Sequence, residues 1–157
     1  MSLGRLQTSG TANNGGVSGT SLSQPGSISG CGTSLYVQDV ANFRALVWNT
    51  IPTSSGQSAN MALGQSNLTS NTDYSSAISA STLSGNGGVH CDGSKLFVGD
   101  YTANRILAWD SLPTFSGQAA DGVIGRALKI YCVTRPDLQS ISRSSAMSRL
   151  KILHEVK

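Results

Sequence analysis

The sequence predicts an all-β fold of two four-stranded antiparallel units, arranged as β-propeller blades, with a C-terminal tail that is irregular or briefly helical. Three observations predict it. LYVQDVANFRALVWN at 35–49 returns as LFVGDYTANRILAWD at 96–110. Each copy is a short apolar run, a polar turn opening on Asp, and a second apolar run ending in Trp, the pattern of a β-hairpin. Charged residues make up only 12% of the chain, against roughly a quarter in ordinary soluble domains. Glu155 is the sole glutamate, so the Glu/Lys faces that support surface helices are missing.

The repeat has a period of 61, set by Trp48 and Trp109. The same offset pairs Leu22 with Leu83, Leu35 with Leu96, Val37 with Val98, Asp39 with Asp100 and Arg44 with Arg105. It also pairs Pro52-Thr53 with Pro113-Thr114, Gly56-Gln57 with Gly117-Gln118, and Gly64 with Gly125. Roughly 18 of about 49 aligned positions are identical, so the two stretches are copies of one structural unit. Leu3-Gly4-Arg5 echoes Leu63-Gly64-Gln65, as though the chain opens at the close of an earlier unit. The units run from about 4 to 64 and from 65 to 126, together 1–126; 127–157 is the tail.

Within the first unit, a short strand surrounds Ile28 over Ser27–Ser29, and Cys31–Ser34 is a turn; its counterpart Asp92-Gly93-Ser94-Lys95 is a strong turn signal. Leu35–Gln38 is a strand, Asp39–Phe43 a polar turn, and Arg44–Asn49 a strand. Ile51–Asn60 is a loop shaped by Pro52 and Gly56, and Met61–Gly64 is a short outer strand. Four short strands at a fixed period make a propeller blade. The period exceeds the ~40–50 residues of common blades. The excess lies in Leu6–Ser23 and Ser66–Ser84, Ser/Asn/Thr-rich loops placed on one rim. Beyond Arg126 glycine disappears and basic residues rise. Met147–Val156 has the spacing of a short helix capped by Ser144 or Ser145. The tail reads either as a capping segment, since terminal repeats are atypical, or as the product of a disrupted reading frame.

The net charge of +3 arises in that tail, where six of the eleven basic residues lie; the repeats are mildly acidic. No basic surface with stacking aromatics is offered, so no nucleic-acid partner is expected. No apolar run reaches the ~18–20 residues of a membrane span, and the first residues show no apolar signal segment. Cys31, Cys91 and Cys132 have no CxxC spacing, so no metal site and no cofactor is expected. The cysteines read as free thiols, buried or semi-exposed, with a Cys31–Cys91 disulfide as the alternative if adjacent blades bring the two together.

Asp39/Arg44 and Asp100/Arg105 are the tempting charged pairs. As a site they would bind a ligand; as structure, Asp accepts turn N–H groups and pairs with Arg across the hairpin. Recurrence in both units favours structure. Trp48 and Trp109 read as inter-blade core rather than sugar-stacking platforms, and Tyr36 and Phe97 read alike. His90 and Cys91 are adjacent on a strand and face opposite ways, against a His–Cys nucleophile pair, so no catalytic residue is assigned. Gly85–Gly88 reads as a turn. The candidate ligand-facing positions are the hairpin tips Phe43, Tyr101 and Asn104, with Asp39, Arg44, Trp48, Asp100, Arg105 and Trp109 as structural repeat residues.

The hairpin VGDYTANRILAW (98–109), with Asp100, Asn104 and Arg105 before a strand ending in Trp109, resembles the NHL repeat of six-bladed β-propellers. The flanks NTIPTSSGQSANMALGQSNLTSN (49–71) and DSLPTFSGQAADGVIGR (110–126) are similar to those of large bacterial NHL-repeat proteins. The resemblance covers roughly residues 3–126; the first copy departs from it where Phe43 replaces Asn104. It implies a non-enzymatic binding or interaction scaffold presenting one face to a protein or carbohydrate, and an extracytoplasmic parent. Two alternatives stand beside it: a truncated or frame-shifted piece without independent function, and a metal-dependent propeller lyase or hydrolase. Two blades leave sheet faces open, so self-association is expected, with three copies completing a six-bladed ring.

Overall fold

The structure is a computed structural model that describes residues 10–85 and 87–125. The candidate helix at 147–156, Cys132 and the rest of the tail lie outside these residues, as do the first residues of the loop at 6–23. Eight strands form two antiparallel sheets. The first holds β1 (Pro25–Cys31), β2 (Ser34–Asp39), β3 (Arg44–Trp48) and β4 (Met61–Leu63), in the order β1-β2-β3-β4. The second holds β5 (Gly88–Cys91), β6 (Leu96–Asp100), β7 (Arg105–Trp109) and β8 (Gly122–Gly125), in the order β5-β6-β7-β8. Each is a four-stranded meander of blade type.

The hairpin registers match across the repeat. Leu35 faces Trp48 and Asp39 faces Arg44; Leu96 faces Trp109 and Asp100 faces Arg105. The turn between them has one cause in both copies. After Asp, three residues curl and the fourth, Phe43 or Asn104, takes φ +53. That left-handed conformation suits Asn and strains Phe.

Alternation assigns two faces to each sheet. In the first blade Tyr36, Gln38, Ala45, Val47, Met61 and Leu63 share a face. In the second, Val89, Leu96, Val98, Leu107 and Trp109 share a face. These two faces meet as one core, joined by Leu83 and Ala120. Most of its members are below 2% exposed. The opposite face of the first blade, Leu46, Trp48 and Ala62 with half-buried Leu35 and Val37, packs against Leu22, Ala59 and Leu68. Trp109 thus fills the inter-blade core, while Trp48 fills the cluster on the other side of its own sheet. Phe97 departs from the expectation set for it. It lies on the outer side of the second blade, half-buried, because no third sheet follows among the described residues.

Polar contacts lock the blades together. Ser27 Oγ accepts from the N–H of Val89 at 3.2 Å, and Ser29 Oγ accepts from the N–H of Cys91 at 3.1 Å. Gln38 Nε2 donates to the carbonyl of Gly88 at 2.9 Å. At the outer edge, a turn of the second blade straps β4. The Ala62 N–H donates to Ser116 Oγ at 3.1 Å, and the Gly117 N–H donates to the Ala62 carbonyl at 2.9 Å. An edge strand covered this way offers no free template for pairing.

Cys31 and Cys91 are not the free thiols that the sequence predicts. Cys31 and Cys91 form a disulfide, with Cα atoms 5.7 Å apart. Both are innermost-strand residues, on β1 and β5, whose side chains enter the seam between the sheets. The repeat hid this: 61 residues on from Cys31 stands Asp92, and 61 back from Cys91 stands Gly30. Pairing follows the lateral approach of β1 to β5, not equivalence in the repeat.

Candidate interaction face

The charged hairpins resolve into structure. Asp39 and Arg44 are both 0% exposed, with Arg44 Nε 2.7 Å from Asp39 Oδ2. Asp39 also accepts from the N–H of Ser23 at 2.6 Å and from Asn42 Nδ2 at 2.8 Å. The remaining guanidinium N–H groups of Arg44 donate to the carbonyls of Ser18, Ser21 and Leu68. In the second blade, Arg105 Nε lies 2.9 Å from Asp100 Oδ2, and Arg105 Nη2 reaches the carbonyl of Thr82. Asp100 takes the N–H groups of Ser84 and Gly85, each at 3.0 Å. Each pair therefore staples the incoming polar loop to its hairpin. Both carboxylates are fully buried and both guanidinium groups turn inward onto them and onto loop carbonyls, so neither pair is aimed at a ligand.

The PT…GQ flank has the same character. Trp48 Nε1 donates to the carbonyl of Gln57 at 2.9 Å, and Trp109 Nε1 to that of Gln118 at 3.2 Å. The Gln side chains turn back to accept the N–H of Thr53 and Thr114. Gly56 and Gly117 both have φ +70, which lets the loop reverse beneath the indole.

The hairpin tips are spread over two blades. Tyr101 is 78% exposed and Asn104 is exposed, both in the second-blade turn; Phe43 is half-buried in the first-blade turn. The Phe43 carbonyl accepts from Gln65 Nε2 at 3.1 Å, tying that turn to the loop after β4. The structure brings Tyr101 near Asn104 but does not bring Phe43 to them. His90 is exposed and stacks at 6.5 Å on Phe97, while Cys91 points into the seam, as alternation requires.

One surface is of a different kind. On the outer side of the second blade, His90, Phe97, Ile106, Ala108 and Ile124 line one face of the sheet. Ile106 is 40% and Ile124 56% exposed; their repeat counterparts Ala45 and Leu63 are each 0% exposed. A shallow, apolar pocket of about 260 Å3 opens here between Gly87, Gly88, Phe97, Gly99 and Ile106. It exists because Gly99 stands where the first blade has Gln38. Alternation in GVHC, LFVGD and RILAW marks these positions, yet nothing local says that this face, rather than its twin, lacks a cover.

Among the described residues, no three His, Cys, Asp or Glu side chains come together as a metal set. No helix among them is long and apolar enough to cross a membrane. The chain matches no protein-family model and no curated protein.

Proposed function

We propose that the protein is a non-enzymatic interaction scaffold of NHL-like, propeller type, and that it works through the outer face of its second blade. The observation that carries this is the contrast between repeat counterparts. One sheet face is wholly buried in the first blade, while its copy in the second exposes Ile106 and Ile124 around an apolar pocket. Exposed apolar surface of this kind, rimmed by polar turns, marks sites of association. The charged and aromatic repeat residues support the same reading, because their bonding groups are spent on holding the blades. A face of this chemistry fits the apolar surface of a protein better than a sugar, whose hydroxyls need more donors and acceptors than Phe97, Gly99 and Ile106 present.

An apolar fluorescent dye, anilinonaphthalene sulfonate, tests the face in dilute protein. The folded chain should bind it, and Ile106→Glu should reduce the signal to background while leaving the unfolding curve in place. A signal unaffected by Ile106→Glu would overturn the proposal.

A further inference from the structure

The seam between the blades records how one of these sheets receives a neighbouring strand. The free edge of β5 lies across the seam face of β1. The Val89 N–H donates to Ser27 Oγ at 3.2 Å, and Ser27 Oγ lies 3.4 Å from the Val89 carbonyl. The Cys91 N–H donates to Ser29 Oγ at 3.1 Å. Beside them Gln38 Nε2 donates to the carbonyls of Gly88 and Gly99, at 2.9 and 3.4 Å. Three side chains of the first blade thus hold the backbone of the strands laid over it.

Sixty-one residues on, the receiving positions are Gly88 for Ser27, His90 for Ser29 and Gly99 for Gln38. All three lie on the outer face of the second blade. That face continues the established seam: β1 receives β5, and β5 is placed to receive the next strand. Two of the three polar hooks are gone, and one persists in altered form. His90 is exposed, and its ring stacks on Phe97 at 6.5 Å. Among the described residues no hydrogen bond takes either imidazole nitrogen. A neutral imidazole has one acceptor nitrogen, enough to take the single N–H that Ser29 takes in the seam.

Side-chain volume is reversed between the two copies. In the seam the bulk, Gln38, belongs to the receiving blade, and the incoming strand offers Gly88 against it. On the outer face the receiving blade offers Gly88 and Gly99, and the pocket of about 260 Å3 opens between them, Phe97 and Ile106. A strand that fits must bring the bulk itself, and these walls require that bulk to be apolar.

We propose that the outer face of the second blade binds an extended, apolar segment of a partner protein, laid over β5 as β5 is laid over β1. His90 accepts a backbone N–H of that segment, and a Leu or Phe side chain of the segment fills the pocket above Gly99. The proposal rests on the interaction-face reading above and names its partner. Backbone hydrogen bonds for affinity and a side-chain pocket for specificity are the two elements by which sheets recognise extended peptides. A second copy of this chain offers no matching blade face. Its β5 is engaged in its own seam, and the far face of its first blade is covered by Leu22 and Leu68, leaving Leu46 and Ala62 0% exposed.

Blocked pentapeptides of Thr and Val, with Leu, Phe or Gly at the centre, test this in the full-length chain. Binding is followed by the NMR shifts of the Ile106 and Ile124 methyl groups and of the His90 ring. The Leu and Phe peptides should move all of them, and the Gly peptide should bind more than about tenfold more weakly, the effect of one unburied apolar side chain. His90→Ala should weaken the Leu peptide about fivefold, the loss of one hydrogen bond. His90→Ser, which places there the hydroxyl that Ser29 supplies in the seam, should restore it. Equal binding of the Leu and Gly peptides overturns the proposal, and so does a His90→Ala variant that binds like the parent. A mass that rises with concentration in light scattering, and that Ile106→Glu holds at one chain, overturns it in favour of a second copy. If no peptide binds while the dye does and Ile106→Glu abolishes the dye signal, the interaction face stands and the extended segment falls; if the dye fails as well, both fall.

Discussion

Removing the charge of Asp39 should destabilise the first blade rather than disable a site. Asp39→Asn keeps the shape of the side chain and an acceptor for the Ser23 N–H. It leaves Arg44, 0% exposed, without its counter-charge and with only the carbonyls of Ser18, Ser21 and Leu68 around it. Breaking one side of a buried ion pair costs about 3–5 kcal/mol. The neutral amide still faces the Arg44 N–H, so the lower end applies, about 3 kcal/mol. Domains have only about 5–15 kcal/mol in hand. For a chain of this size each kcal/mol moves the midpoint by roughly 2–4 °C, which places the drop near 10 °C. Urea unfolding followed by Trp48 and Trp109 fluorescence measures it. Dye binding at the second-blade face should persist wherever the protein is folded. A variant within about 0.5 kcal/mol of the parent would refute the structural reading, since surface substitutions fall in that range.

Three further outcomes follow from the same contacts. Reducing the Cys31–Cys91 bond opens a link between residues 60 apart. The chain-entropy relation gives a loss of about 4 kcal/mol, read as the difference between urea curves with and without reductant; coincident curves would contradict a seam held by this bond. Gly64→Ala should destabilise strongly, since φ is +86 and the new Cβ would lie 2.7 Å from Leu83, whereas Gly30→Ala, placed in open space, should stay within about 0.5 kcal/mol. Burial raises the pKa of Tyr36 above its ordinary 10.0, with a hydrogen bond from Ser34 opposing the shift. The neutral hydroxyl is thereby favoured in the folded state, so its contribution is whole below pH 10 and is lost as pH rises through the folded value. Alkaline titration of stability should show this loss in the parent chain and not in Tyr36→Phe.

The hairpins were legible because two local signals agree in them: alternation names the strands, and Asp at the turn names the reversal. Asp39, Arg44, Asp100 and Arg105 were legible as joinery for one reason, their recurrence. What escaped depends on distance across the fold. The Cys31–Cys91 bond joins positions that the repeat does not equate, because Cys91 sits between Ser29, which accepts its N–H, and Cys31, the two residues that flank its own counterpart Gly30. The environment of Phe97 follows from the absence of a following sheet among the described residues, which alternation within LFVGD does not encode. The pocket at Gly99 was hidden in a single Gln-to-Gly difference, meaningful only once Gln38 was seen bridging the seam.

Equal positions in the repeat have unequal exposure. Hydroxyl-radical labelling of the full chain, at concentrations where it is a single chain, reads this directly by mass spectrometry. Leu63 and Tyr36, at 0% and 1% exposure, should remain unlabelled, while Ile124 and Ile106, at 56% and 40%, should label readily. Equal labelling of Leu63 and Ile124 would contradict the closed seam, the open face and everything built on their difference.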